Sequence, residues 1–442
     1  MNVKLSADAP PAPAPVTLAR ARVPPFEALD ERLAGGTAVA DAATRERVAA
    51  MLAAVRDGGD DAVRRFQREL DQVDLAPGDW EVPRDEWEAA RQRLPSPLRR
   101  ALEHAAERIR TFHERQREDG FLTIEEDGTR LGTRVIPLDA VGVYVPGGTA
   151  AYPSSVLMNV IPARVAEVGQ IIAATPPRGV TDAVLAACAM AGVDRLFRVG
   201  GVQACAAFAF GTPTIPRVDK LVGPGNRWVV EAKRQLAGLV GIDMLAGPTE
   251  VLIIADESAD PRHVAADLIA QAEHDGDATA WLVTTHPPLV DAVERELATQ
   301  LARAPRGPVA ARALATQGLA ILVPDLETAL AVANRKAPEH VALLVRDAAS
   351  HVDAIRHAGA VFVGPDTPEA VGDYLAGPSH VLPTGGTARF ASPLGVYDFV
   401  KRMSVIQYAP ARLAADAADV IALAEAEGLP GHAEAMRVRR DD

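Results

Sequence analysis

Apolar residues early in this chain recur at helical spacing. Val48, Met51, Leu52 and Val55 stand at i, i+3, i+4 and i+7, which predicts a helix beginning near Thr44. Gly58 and Gly59 break it, Asp60 or Asp61 can cap a successor, and Val63, Phe66 and Leu70 mark that successor's inner face. Residues 84–118, rich in Arg and Glu, continue the helical reading, so the first 120 residues are expected to be mainly helical. At Val141 the pattern changes. Short apolar runs at 141–145, 171–174, 196–199, 221–222 and 242–245 alternate with helical segments at 152–166, 181–191, 202–209 and 226–237. A second such rhythm follows, with runs at 251–255, 281–284, 319–323, 341–345 and 360–363. Within it Asp260-Pro261 reads as a cap and first helical residue, opening a helix over 261–274 that buries Val264, Leu268 and Ala272. Beyond about residue 394 the pattern is helical again, with 420–427 ending at Gly428.

Strand and helix alternating at this spacing means βαβ units and parallel sheets. The expected fold class is α/β, with two Rossmann-like parallel-sheet domains and smaller, mainly helical amino- and carboxyl-terminal segments. The expected parts are a disordered Ala/Pro-rich tail over 1–18 and a helical part over 19–140 that packs with the second α/β domain. A first α/β domain over 141–245, a second over 246–394 and a carboxyl-terminal segment over 395–442 complete the chain. The two α/β halves are candidates for distant copies of one another.

Composition narrows the function. A formal charge of -13 argues against nucleic acid as the main partner, because phosphate binding needs clustered Lys and Arg. Two cysteines, Cys188 and Cys205, cannot build a disulfide framework and fit a reducing cytoplasm. Both are flanked by Ala on apolar helical segments and read as small buried residues. No apolar run reaches the length of a membrane span, and the first residues lack the apolar core of a secretory signal.

Candidate chemistry clusters at a few places. Glycines follow the strand ends at Gly147-Gly148, Gly200-Gly201 and Gly223-Pro224-Gly225, with Tyr144, Gln203 and Asn226 at or beside those ends, where parallel sheets bind ligands. The G-x-G-x-x-G fingerprint is absent: G-P-G-N-R-W begins correctly and ends in Trp228. In A-P-E-H, Pro338 disfavours helical backbone at Ala337, so a helix should stop just before Glu339 and His340. There an imidazole that titrates near neutrality adjoins a carboxylate able to activate water; a surface turn would read the same way. Gln271 and His274, three apart, can share a helix face or form a polar helix end. Asp373 and His380 lie in Gly/Pro-rich sequence, and Glu427 and His432 bracket G-L-P-G near the end of the chain. Nitrogen and oxygen donors without thiolate suit a borderline metal such as zinc, but spacing alone brings none of these residues together.

Taken in order, eleven stretches resemble the histidinol dehydrogenase family: V-Y-V-P-G-G (143–148), G-G-V-Q-A (200–204), G-P-G-N (223–226), E-A-K-R-Q (231–235), D-M-L-A-G-P-T-E-V-L (243–252), Q-A-E-H (271–274), A-P-E-H (337–340), G-D-Y (372–374), H-V-L-P-T (380–384), V-Y-D-F-V-K-R (396–402) and E-G-L-P-G-H (427–432). The resemblance implies a four-electron, NAD-dependent oxidation of L-histidinol to L-histidine by way of L-histidinaldehyde, the last steps of histidine biosynthesis. It implies His340 as the base that deprotonates the alcohol and Glu339 as the group that activates water. It implies one zinc ion per subunit on Gln271, His274, Asp373 and His432, with Thr249, His340, His380 and Glu427 joining those four in binding substrate. Tyr144, Gln203 and Asn226 match the positions that contact NAD. The family's homodimer, whose carboxyl-terminal segments complete the neighbouring site, implies a cytoplasmic dimer here, with no membrane or nucleic-acid partner. Thr249 stands where the family usually has Ser; the hydroxyl is kept. Two alternatives are a related dehydrogenase of another small alcohol, such as a sulfonated diol, and a zinc- or nucleotide-binding protein with a relict site.

Overall fold

A computed structural model describes residues 16–29, 33, 40–147 and 152–439. The tail to Pro15 and Gly148 lie outside the described residues. In chain order the strands are β1 (Ala19–Arg22), β2 (Phe121–Ile124), β3 (Arg130–Pro137), β4 (Ala140–Tyr144), β5 (Gln170–Ala174), β6 (Arg195–Phe197) and β7 (Lys220–Val222). They continue with β8 (Gly241–Ile242), β9 (Glu250–Ala255), β10 (Thr279–Thr284), β11 (Leu319–Leu322), β12 (His340–Leu344), β13 (Ala360–Val363) and β14 (Val400–Gln407).

Among the described residues these strands make three sheets. One has the order β6-β5-β4-β7-β8 and another β1-β11-β10-β9-β12-β13, parallel throughout. Apart from the edge strand β1, the two orders are the same. The first strand is central, the next two extend one side, and the last two extend the other. That shared order supports the reading of the two halves as copies, and it puts a topological switch point between β4 and β7 and another between β9 and β12.

Each parallel sheet is covered on both faces, and its strands alternate between two cores. Val141, Val143, Ile171, Ala173 and Leu196 point into one core with Val156 and Leu185, while Ile172, Ala174, Phe197 and Leu221 point into another with Phe208 and Val229. In the second sheet Val251, Ile253 and Leu282 face one side, and Leu252, Ile254, Val283 and Val341 the other. At about 1.5–3 kcal/mol for each large apolar side chain fully buried, these four cores dominate the stability of the fold.

Three expectations need correction. The helices Ala42–Phe66, Arg84–Arg93 and Ser96–Glu114 pack on the first parallel sheet's helices, not on the second α/β unit. Their apolar faces, such as Val48, Val55, Trp87 and Ile109, complete the two cores of that sheet. Residues 16–29 do join the second unit, through β1 beside β11 and the burial of Leu18 and Leu29. Second, 84–118 is two helices, parted at Leu94-Pro95, and Leu70 is 45% exposed because a π-turn over Gln67–Asp71 rotates it off the inner face. Third, the segments read as helical contain an antiparallel sheet of order β14-β3-β2. Only after β14 do the helices Pro410–Ala426 and Pro430–Arg437 follow. The register pairs Val400 with Pro137 and Gln407 with Arg130, a contact no local pattern announces.

Among the described residues no helix is long and apolar enough to cross a membrane. The centre of the first sheet depends on a close approach. A Cβ on Gly142 of β4 would lie 2.8 Å from the ring of Phe208, which is fully buried. Phe208→Ala would empty that contact, and the expected outcome is a loss of about 3–5 kcal/mol in urea denaturation.

Candidate active site

Two sheet edges supply the site residues. Tyr144, Gln203 and Asn226 follow carboxyl ends of the first sheet's strands, whereas Glu339 and His340 stand at the amino-terminal edge of the second. The helix Leu326–Lys336 stops at Ala337, which turns into left-handed backbone at φ 51° and hands the chain to Pro338. This delivers Glu339 and His340, both buried, to the start of β12.

Neighbouring β9 fixes their orientation. The Glu250 amide donates to Glu339 Oε2 at 2.9 Å, and the Glu250 carbonyl lies 3.0 Å from His340 Nδ1. A carbonyl only accepts, so Nδ1 carries the proton and Nε2 is the basic nitrogen. Burial pushes His340 below its ordinary pKa, against the pull of Asp373 and the Glu250 carbonyl. Burial pushes the Glu339 carboxyl up to about 8, against the hydrogen bonds from Thr249 and the Glu250 amide. The Thr249 hydroxyl is 2.5 Å from Glu339 Oε2 and also meets the Gln271 amide. With that amide turned so that its nitrogen faces Glu369 Oε2 at 2.8 Å, its carbonyl accepts from Thr249. Thr249 has one proton, so Glu339 must then hold its own, in keeping with its raised pKa.

Gln271 sits in the last turn of the helix Pro261–Ala272, and His274 follows the helix end. His274 Nε2 is 3.9 Å from Asp373 Oδ2, and His380 Nδ1 is 3.1 Å from the Asp373 carbonyl. Burial lowers the His380 pKa. The structure therefore brings Thr249, Gln271, His274, Glu339, His340, Asp373 and His380 together. It does not bring Glu427 or His432 to them. Both are exposed on the terminal helix pair, which Arg412 ties to the antiparallel sheet through Glu125 and Asp127. Among the described residues no group of three or more His, Cys, Asp or Glu side chains is placed to hold a metal ion.

Sequence reasoning missed three residues here. Glu369 is buried with Oε1 3.7 Å from His340 Nδ1, and its pKa is raised well above the carboxylate range by burial and then by Asp373, Glu339 and Asp267. Its spacing, one turn before Asp373, was the available signal. Lys336 and Glu250 form a buried ion pair at 2.7 Å beside Glu339 and His340, and nothing in the sequence pattern marks it.

At the first sheet, the Tyr144 hydroxyl accepts from the Gly201 amide at 3.2 Å, and Asn226 caps the helix Arg227–Leu236 through the Trp228 and Val229 amides. Gln203 is buried, donates to Asp71 at 3.2 Å, and leaves its Oε1 without a partner. A Cβ on Gly223, at φ 110°, would lie 2.1 Å from the Tyr144 carbonyl, so only glycine fits there. The buried pair Lys233–Asp243 grips both polar atoms of Gly223: Lys233 donates to its carbonyl at 3.0 Å, and Asp243 accepts from its amide at 2.8 Å. The thiols of Cys188 and Cys205 are buried and pushed up to about 12, which leaves them unreactive.

Comparison with known proteins agrees over the whole chain. The histidinol dehydrogenase family profile matches residues 36–440. A histidinol dehydrogenase of Nitrosospira multiformis is 50% identical over 402 residues, covering 90% of this chain and 91% of that protein. One from Aromatoleum aromaticum is 50% identical over 425 residues, covering 96% and 97%. The crystal structure of histidinol dehydrogenase from Elizabethkingia anophelis superposes with a TM-score of 0.90 at 33% identity, covering 96% of this chain and 98% of that one.

The buried carboxyls make stability depend on pH. Unfolded, Glu339 loses its proton near the ordinary value of 4.5; folded, it keeps the proton to about 8. Its contribution is therefore full below the lower value and is lost as pH rises through the upper one. In the metal-free protein, Glu339→Gln is expected to remove about one proton from the pH dependence of urea stability between about pH 5 and 8.

Proposed function

From the premise that this chain belongs to the histidinol dehydrogenase family, oxidoreductases of the last steps of histidine biosynthesis, we propose that its cleft oxidises L-histidinol to L-histidine through L-histidinaldehyde, with NAD as oxidant. The observation that carries this reading is the arrangement around Glu250. The main chain of one residue holds both: the Glu250 carbonyl fixes His340 with Nε2 as its basic nitrogen, and the Glu250 amide holds Glu339 beside it. His340 Nε2 takes the hydroxyl proton as a hydride leaves the same carbon. Glu339, once deprotonated, takes a proton from the water that adds to the aldehyde carbon, and a second hydride leaves the hydrate. Both groups must reach one carbon, which their adjacency permits. NAD, when bound, accepts the hydride of each step. Tyr144, Gln203 and Asn226 would hold it, and the unpartnered Gln203 Oε1 is a buried acceptor of the kind a ligand satisfies.

The donor types of Gln271, His274 and Asp373 fit a zinc site with one ligand missing, and His432 is the residue we assign to complete it. Zinc, one per subunit, would orient the substrate's imidazole and amino nitrogens. We place His432 and Glu427 in the site of a second copy. The antiparallel sheet and terminal helices expose Phe121 (64%), Ile406 (71%) and Leu423 (66%), apolar surface of the kind a homodimer covers. Thr249 and His380 complete the substrate's surroundings, and we place the dimer in the cytoplasm. The full-length likeness favours histidinol over the diol alternative.

A progress curve with L-histidinol and NAD tests this directly. Two NADH per histidinol are expected, lost on chelation and restored by zinc; a ratio near one, with aldehyde accumulating, would refute it. Glu339→Gln is expected to stop at the aldehyde, with the second oxidation slowed about a hundredfold or more and the first much less affected.

A further inference from the structure

We propose that the buried Lys336–Glu250 ion pair is a positioning device for the catalytic pair, and that Lys336 and Glu250 are positioning residues for this reaction. The inference rests on the functional reading above. The stretch K-A-P-E-H grips Glu250 by each of its polar groups. Lys336 Nζ meets Glu250 Oε1 at 2.7 Å, Glu339 takes its amide at 2.9 Å, and His340 meets its carbonyl at 3.0 Å. The remaining carboxylate oxygen, Oε2, accepts from the Gly385 amide at 3.3 Å.

Glu250 needs such an anchor because of where it lies. It opens β9, and on the β12 side the ladder begins one residue later, with His340 opposite Val251. Toward β12 its peptide groups are therefore bonded by the catalytic side chains themselves. Those bonds fix Glu339 and His340 as far as Glu250 itself is held: β10 holds its strand through the Thr279 amide on the Thr249 carbonyl, and the ion pair holds its side chain. Lys336 is the last residue of its helix, is buried, and lies with Nζ 4.9 Å from the centre of the Trp281 ring. It is thus held by packing as well as by charge. An ion pair this buried is a poor source of stability compared with apolar side chains of the same volume, so its use lies in the geometry it fixes.

The decisive variant is the double replacement Lys336→Met with Glu250→Gln, which strands neither charge and is expected to fold. Its kcat should fall about ten- to a hundredfold for both histidinol and histidinaldehyde, with KM little changed, because a displacement near 1 Å costs rate rather than binding. Lys336→Met alone should lose at least as much, and Lys336→Arg, which keeps the charge, should recover most of it. In ¹⁵N-histidine NMR, with His340 assigned through His340→Asn, the parent should show a single Nδ1–H tautomer and the double variant a mixture. A folded double variant with kcat within about twofold of the parent, or with the His340 tautomer unchanged, overturns the proposal. A parent that does not turn over histidinol would count against the functional reading instead, and the tautomer signal would still decide the positioning role.

Discussion

The Glu250 main chain donates to Glu339 through its amide and accepts from His340 through its carbonyl, and both bonds require β12 to lie beside β9 in one register. A slip of one residue would invert the faces of β12, sending His340 into the core and burying Glu339 without its amide partner. The register is held by alternate burial: Val341 and Leu343 enter one core, Ala342 and Leu344 the other. Packing that looks purely structural thus sets the tautomer of a buried histidine at the strand's first residue.

Around that residue the fold concentrates negative charge out of water. Glu339, Glu369 and Asp373 surround His340, Asp267 adds its charge at Glu369, and burial pushes three of these carboxyls upward, Asp267 to about 6. Lys336 offsets Glu250. The others are left either to keep protons or to meet a cation, and a ligand that brings positive charge is favoured by the same crowding that penalises the empty site. The raised Glu339 suits the role proposed for it: its conjugate acid is weaker than an exposed Glu, so it takes a proton more readily once ionised.

Much of this was legible in the sequence. Periodicity located the central strands of both parallel sheets because each is buried on two faces and reads as a short apolar run; β1, mostly exposed at the sheet's edge, escaped it, and β8 is only Gly241–Ile242. Pro338 marked where the helix ends, and Ala337 indeed leaves it in left-handed backbone. The antiparallel sheet escaped because β2 and β14 are mostly exposed and show no inner face, and because β3 finds its partner about 270 residues along the chain, as Gln407 opposite Arg130 illustrates. The packing of the amino-terminal helices was misread because an amphipathic face says that a helix is covered but not by what. Glu250 and Lys336 were invisible for a related reason, and Glu369 had only its spacing from Asp373 to mark it: a charged residue reads as solvated until the fold buries it.

The two sheets share a strand order but use opposite ends, and helix polarity explains the division. At the carboxyl edge of the first sheet, helices begin: Gly201–Phe210 and Arg227–Leu236 place their positive ends beside Gln203 and Asn226. That edge suits an anionic ligand such as a dinucleotide's phosphates. At the amino-terminal edge of the second sheet, helices finish: Pro261–Ala272 ends at Gln271 and Ala272, and Leu326–Lys336 ends just before Glu339. Carbonyls and negative helix ends converge there with the carboxylates, which suits a cationic amino alcohol and a metal ion. Ser379, in the second unit, donates to the Met158 carbonyl at 3.4 Å, a contact between the two units. One shared topology therefore offers an edge of positive helix ends and an edge of negative ones, the division that the proposed reaction between an anionic oxidant and a cationic substrate would use.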